Sequence, residues 1–164
     1  MSWQTEMVET LYIMVGDWDK TTYSSTNLER VLVVAAQMVA SELDFSQDFE
    51  TSIDDLDITP DPTDRVNNTR DDSFINLTCI KAACIINRGD AFKNAGNALK
   101  VRDIGGISID TTETFKAKFN LLQKGGWCAV YSEEKFDYQL SSTIIAGAAI
   151  MSPFRVSAGY CTNY

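Results

Sequence analysis

Apolar residues recur every three to four positions over three stretches in the first part of the chain. These stretches are residues 2–15, 24–43 and 72–93. The spacing places the apolar side chains on one face and predicts three amphipathic helices. A serine or aspartate, the usual N-cap residue, precedes the second and third of them. The third helix is expected to end at Gly89 or within residues 94–96.

A fourth helical stripe covers residues 111–140 and contains the pair Gly125-Gly126. Each glycine inside a helix costs about 1 kcal/mol relative to alanine, so the helix either breaks at the pair or passes through it. Because the stripe resumes after the pair, we favour a continuous or kinked helix. Glu133 and Glu134 are adjacent on this helix and do not face each other, so we interpret them as solvated surface rather than paired catalytic carboxylates.

Residues 44–72 follow a different pattern and hold ten acidic and two basic side chains. Apolar and polar residues alternate over 49–53 and 56–58, which predicts a short β-hairpin that turns at Asp54-Asp55. The proline-containing segment that follows is expected to form a turn or an extended arm.

A second hairpin is predicted at residues 99–109, around the pair Gly105-Gly106. Side chains alternate on both sides of the pair, and glycine tolerates the positive φ that a two-residue turn requires. A phosphate-binding glycine loop is disfavoured because no Lys-Ser or Lys-Thr pair follows. The next residues, 110–113, have the form of a capping box at the start of the fourth helix. The hairpin residues nearest the turn are Val101, Arg102, Ile104, Gly105, Gly106 and Ile107.

The C-terminal residues 143–164 contain one charged side chain and many apolar ones. A tail of this composition is expected to pack on its own domain or to dock on a partner. The chain is therefore predicted to be mainly α: a small bundle of about four helices over residues 1–142, with one or two β-hairpins or extended arms and a C-terminal arm. The candidate docking residues of that arm are Ile144, Ile145, Ile150, Met151, Phe154, Arg155 and Val156.

Charge is distributed unevenly along the 164 residues, whose net charge is −9. Residues 1–75 contain 16 acids and 4 bases, whereas residues 76–164 contain 7 acids and 10 bases. The two halves can attract each other between subunits in a head-to-tail ring. The alternative, which we favour on charge alone, is a solvated acidic surface that maintains solubility. This balance disfavours tight binding to a phosphate backbone, which needs clustered lysine and arginine.

The chain contains no histidine, which removes the commonest general base and the commonest zinc ligand. We expect no enzymatic activity, no cofactor and no metal site. A calcium site at Asp55, Asp57, Asp61 and Asp64 is disfavoured because the spacing lacks the glycine and the terminal glutamate of an EF-hand loop. A carboxylate-based, metal-dependent enzyme with ligands from Asp54, Asp55 and Asp57 is kept as an alternative.

The four cysteines, Cys79, Cys84, Cys128 and Cys161, have no C-x-x-C spacing. The first residues contain acids and no basic region of the kind that begins a signal peptide. Without secretion, we expect the cysteines to be small buried hydrophobes rather than disulfide or metal ligands. No apolar run approaches the roughly 20 residues that span a bilayer, so the protein is expected to function in the cytoplasm, or in an assembly made there, with no membrane partner.

Several sequence motifs occur in order along nearly the whole chain. They are VGDW, TTYSSTNLERVLVVAAQMVASELDF, ITPDPTD, DDSFINLTCIKAACI, KVRDIGGISIDTT, EEKFDYQLS and AAIMSPFR. In that order they resemble the head–tail connector (neck adaptor) proteins of tailed bacteriophages, including marine myovirus-like phages. The resemblance includes no catalytic signature.

The resemblance implies a structural virion protein that forms a ring, typically twelve-fold, below the portal of the filled capsid. Such a ring extends the DNA channel, lets the genome pass without sequence-specific binding, and docks the next neck or tail protein. The tail would dock on the portal or a neighbour, and the 99–109 hairpin or the acidic segment 44–72 would reach the lumen or a neighbouring component. A monomeric helical binding module is the remaining alternative. The aspartates of the implied lumen or inter-subunit face are Asp54, Asp55, Asp57, Asp61 and Asp64.

Overall fold

The computed structural model describes residues 2–101 and 126–141, with the backbone alone for residues 94–101. Within these residues the chain is a small helical bundle with one two-stranded antiparallel hairpin, as the sequence predicts. None of the described helices is long and apolar enough to cross a membrane. The elements are α1 (Trp3–Val15), α2 (Ser25–Glu42), β1 (Glu50–Ser52), β2 (Asp57–Thr59), α3 (Asp72–Val101) and α4 (residues 127–141).

The predicted ends of the first two helices are confirmed. The Asn27 amide donates to Ser24 Oγ at 3.3 Å, which supplies a partner for one of the unpaired amides that begin α2. Gly16 ends α1 with φ of 76°, a left-handed conformation that favours glycine. Its amide donates to the carbonyl of Ile13. Local capping chemistry therefore sets both boundaries.

The core lies where α1, α2 and α3 pack against one another. The apolar stripe of α2 faces inward, and Leu28, Leu32 and Val39 are fully buried. Burying each large aliphatic side chain stabilises the fold by about 1.5–3 kcal/mol. The largest fully buried side chains of the other two helices are Trp3, Met7, Leu11 and Phe74.

The acidic segment 44–72 is part of the body of the bundle and not an extended arm. Its hairpin is confirmed, with Thr51 opposite Ile58, and the side chain of Ile58 is buried against the bundle. Phe49 stacks on Phe74 of α3 with 3.9 Å between the ring centroids. Arg70 forms an ion pair with Glu6 of α1 at 2.8 Å. Aromatic packing and ion pairs therefore hold this segment to the helices.

The third helix is longer than predicted. It continues through Gly89 and residues 94–96 to Val101, so residues 99–101, predicted as the start of a β-hairpin, are helical. The two glycines of α3, Gly89 and Gly96, cost the helix only about 1 kcal/mol each. The alanine, leucine and lysine residues of this stretch favour helix and offset that cost. The rest of the predicted hairpin, residues 102–109, lies outside the described residues.

The apolar stripe after Gly125-Gly126, predicted to belong to a continuous or kinked helix, forms a helix that begins after Gly126. Gly126 lies in a bend, and α4 begins at the next residue. The Gly126 carbonyl accepts hydrogen bonds from the amides of Ala129 and Val130, so the glycine occupies the N-cap position, where it is tolerated. The prediction of a helix over residues 111–125 lies outside the described residues.

Candidate functional site

A groove of about 470 Å³ lies between α2, α3 and α4. Its cationic residues are Lys81 and Arg88 of α3 and Lys135 of α4. Apolar side chains lie beside them, and two of these are exposed to solvent: Met38 at 43% and Phe136 at 62%. The groove therefore presents apolar surface and positive charge side by side.

Glu42, at the end of α2, holds one wall of the groove in place. Its Oε2 atom lies 2.7 Å from Lys135 Nζ and accepts from Tyr131 Oη at 2.9 Å. Its Oε1 atom lies 3.0 Å from Lys81 Nζ. The hydrogen bond from Lys135, supported by those from Lys81 and Tyr131, lowers the pKa of Glu42 to about 2 despite partial burial. One carboxylate thus ties α2 to both α3 and α4.

Tyr131 is buried in the same network. Burial, together with its hydrogen bond to the Glu42 carboxylate, raises the pKa of the phenol well above its usual value. Lys81 Nζ lies 4.2 Å from the centroid of the Tyr131 ring, within the range of a cation–π contact. The phenol therefore stays neutral and acts here as a hydrogen-bond donor.

A disulfide between Cys84 of α3 and Cys128 of α4 lines the groove. The prediction that all four cysteines are unpaired buried hydrophobes is therefore wrong for these two. Their Cα atoms are 4.7 Å apart, although 44 positions separate them in the sequence, so only tertiary packing brings them together. Cys79 is free and buried, as predicted, and burial raises the pKa of its thiol to about 12. Cys161 lies outside the described residues.

The lining of the groove contains no acidic side chain among the described residues. Lys81 and Lys135 share the single carboxylate of Glu42. Arg88 is exposed and forms no ion pair with another described residue. The groove and its supporting network therefore combine three cations with one anion, which leaves a net positive charge.

The structure divides the predicted acidic face into two sets. Asp54 and Asp55 are exposed at the hairpin turn, where Asp55 accepts from the adjacent Ser52 Oγ. The other three carboxylates accept hydrogen bonds from groups outside the turn. Asp57 accepts from the Trp3 indole, Asp61 accepts from the Trp3 and Thr63 amides, and Asp64 accepts from the Val66 amide.

The structure does not bring together Asp54, Asp55 and Asp57, the ligands that the metal-dependent alternative requires. Asp57 is held by Trp3 and Thr59, and Asp55 is held by Ser52. Across residues 2–101 and 126–141, no group of three or more acidic, cysteine or histidine side chains is arranged to hold a metal ion. The exposed pair at the turn remains as acidic surface next to Ile53, which is itself 50% exposed.

The other predicted contact residues are mostly beyond the described part of the chain. Val101 is the last residue of α3 and not a strand residue. The remaining hairpin residues and the C-terminal docking residues lie outside the described residues: Arg102, Ile104, Gly105, Gly106, Ile107, Ile144, Ile145, Ile150, Met151, Phe154, Arg155 and Val156.

The sequence did not predict the groove, because its lining residues come from three helices and follow no shared periodicity. Glu42, Lys81 and Lys135 each lie three or four positions after a buried residue of their own helix, but no local pattern shows that the three side chains meet.

No family model, no curated protein and no solved structure matches this chain.

Proposed function

We propose that this chain is a head–tail connector of a tailed bacteriophage, a structural virion protein rather than an enzyme. In this role it forms a ring, twelve-fold in the typical case, below the portal. The ring extends the DNA channel and docks the next neck or tail protein. Its place is the virion neck, after assembly in the host cytoplasm.

The observation that carries this proposal is the ordered series of motifs along nearly the whole chain. The small helical bundle with a short hairpin is the kind of fold that the resemblance implies. Two features of charge support an assembly role. The net charge of −9 repels phosphates, which suits a channel that must not retain DNA. The groove beside Arg88 is a concave surface of opposite charge, which suits contact with a protein.

The test is to purify the phage particles whose genome encodes this chain and to examine their necks. Mass spectrometry should detect the chain at a fixed ratio to the portal protein. Symmetry-resolved electron cryo-microscopy should place its bundle in a ring directly below the portal. Particles made without the chain should be filled heads that lack tails, whereas re-expression of the intact chain should restore the tails. Absence of the chain from purified, infectious particles would contradict the proposal.

A further inference from the structure

Two surface patches of the described residues are complementary. One is acidic and the other is basic, and both expose apolar side chains. The first is the hairpin turn, where the half-exposed side chain of Ile53 lies next to the exposed carboxylates of Asp54 and Asp55. No basic residue occurs between Glu50 and Asp64, so the turn is an acidic tip, and Ile53 is its one exposed bulky apolar side chain.

The second surface is the groove between α2, α3 and α4. It offers exposed apolar side chains, Met38 and Phe136, beside Arg88, whose guanidinium has no carboxylate partner among the described residues. The volume of the groove is about 470 Å³. A segment that fits must therefore supply both an apolar side chain and a negative charge.

The hairpin of the same copy does not fill this groove. Its strands pack on α2, and Phe49, just before β1, stacks on Phe74 near the start of α3, 14 positions before Arg88. None of the residues that line the groove comes from the hairpin. The acidic tip and the basic groove are therefore separate patches of one molecule.

We propose that the hairpin turn of one copy docks in the groove of a second copy. Ile53 packs against Met38 and Phe136, and Asp54 and Asp55 face Arg88 at the rim. Because the two patches differ, the contact is head-to-tail and repeats from copy to copy, so it closes into a ring when the rotation allows. This inference rests on the proposed function for its biological role, and it names the contact that would join neighbouring copies.

Charge-reversal variants of the full-length chain test the contact. One variant carries Arg88→Glu in the groove, the second carries Asp54→Lys and Asp55→Lys at the turn, and the third combines all three substitutions. The matched controls reverse exposed charges elsewhere, Arg30→Glu on α2 and Asp19→Lys in the loop after α1. Circular dichroism melts verify that every variant is folded. Sedimentation equilibrium up to about 1 mM, the weak end of specific affinities, measures self-association.

We expect the groove variant and the turn variant each to weaken self-association at least about tenfold. The combined variant should recover most of the affinity, because its glutamate faces the new lysines. Both controls should associate like the natural chain. A natural chain that stays monomeric throughout, or reversals that leave its association unchanged, would overturn the proposal, and the groove would then take another segment or a different protein.

Failure of this contact and failure of the proposed function give different results. If particles contain the ring but the groove and turn variants assemble normally, the connector role stands and this contact is wrong. If the natural chain associates through the groove but is absent from the particles, the contact stands and the connector role is wrong.

Discussion

Cys84 on α3 is bonded to Cys128 on α4 across 44 positions of sequence. The bond closes a long loop, and loop-closure entropy predicts that such a cross-link stabilises the folded chain by about 4 kcal/mol. Replacing both cysteines with alanine should therefore lower the free energy of unfolding by about that amount. Urea denaturation of the oxidised natural chain and of the double variant measures the difference.

The control for this prediction is to measure the stability of both proteins in the presence of a reductant. Dithiothreitol should destabilise the natural chain and leave the Cys84→Ala, Cys128→Ala variant unchanged. Equal stability of the natural chain with and without reductant would show that the bond contributes nothing to the fold.

The Glu42 carboxylate should make stability depend on pH in the acidic range. Its pKa in the folded chain is about 2, compared with 4.5 for an unperturbed glutamate. Its stabilising contribution is therefore complete above about pH 4.5 and is lost as the pH falls from there towards 2. Glu42→Gln should lower the free energy of unfolding by about 1–2 kcal/mol at neutral pH, less than the shift alone implies, because solvent screens a partly exposed carboxylate.

Thermal melts between pH 7 and pH 3 should show the natural chain and the Glu42→Gln variant converging as the pH decreases. Glu133→Gln on the exposed face of α4 is the matched control and should follow the natural chain at every pH. A constant gap between the natural chain and Glu42→Gln would exclude the carboxylate as the cause.

Thr78 buries a hydroxyl that has no hydrogen-bond partner among the described residues. Burying an unpaired polar group is unfavourable, so Thr78→Val should stabilise the chain by about 0.5–1 kcal/mol. The comparison is Thr69→Val, which removes a hydroxyl that donates to the Asp61 carbonyl at 2.8 Å. That change should destabilise the chain by about 1 kcal/mol. Differential scanning calorimetry should therefore show melting temperatures that move in opposite directions.

Two glycines should respond to alanine in opposite ways. Gly16 has a φ of 76°, which an alanine adopts only with strain, whereas Gly89 lies inside α3. An added Cβ meets nothing within 4 Å at either position, so backbone conformation alone decides the outcome. Gly16→Ala should destabilise the chain by about 1 kcal/mol, and Gly89→Ala should stabilise it by about 0.5–1 kcal/mol. Chemical denaturation measures both, and the same sign for the two changes would contradict this explanation.

The starts of the helices were predictable because capping is local chemistry. Ser24 accepts the hydrogen bond of an amide three residues on, and Asp71 accepts that of Phe74 in the same way. The end of α3 was not predictable in this way. Gly89 and Gly96 are each a stop signal when taken alone, but the favourable residues around them outweigh both glycines, and the helix runs on to Val101.

The candidate site was less predictable than the fold. The sequence marked Asp54 and Asp55 as acidic surface, and the structure leaves both exposed. The groove depends on pairs such as Glu42 with Lys135 and Cys84 with Cys128, which are far apart in sequence. Residues so far apart in the chain form no periodic pattern, so the sequence alone does not predict these pairs.

By itself, the sequence determined that this protein is a small, mainly helical bundle with an acidic hairpin, because periodicity and capping act over a few residues. Only the tertiary structure decided that the acidic segment lies against the bundle, that two of the cysteines are bonded, and that two lysines and a tyrosine gather around the Glu42 carboxylate. Those features depend on contacts between elements. Packing of the apolar faces of α1, α2 and α3 sets which distant side chains meet.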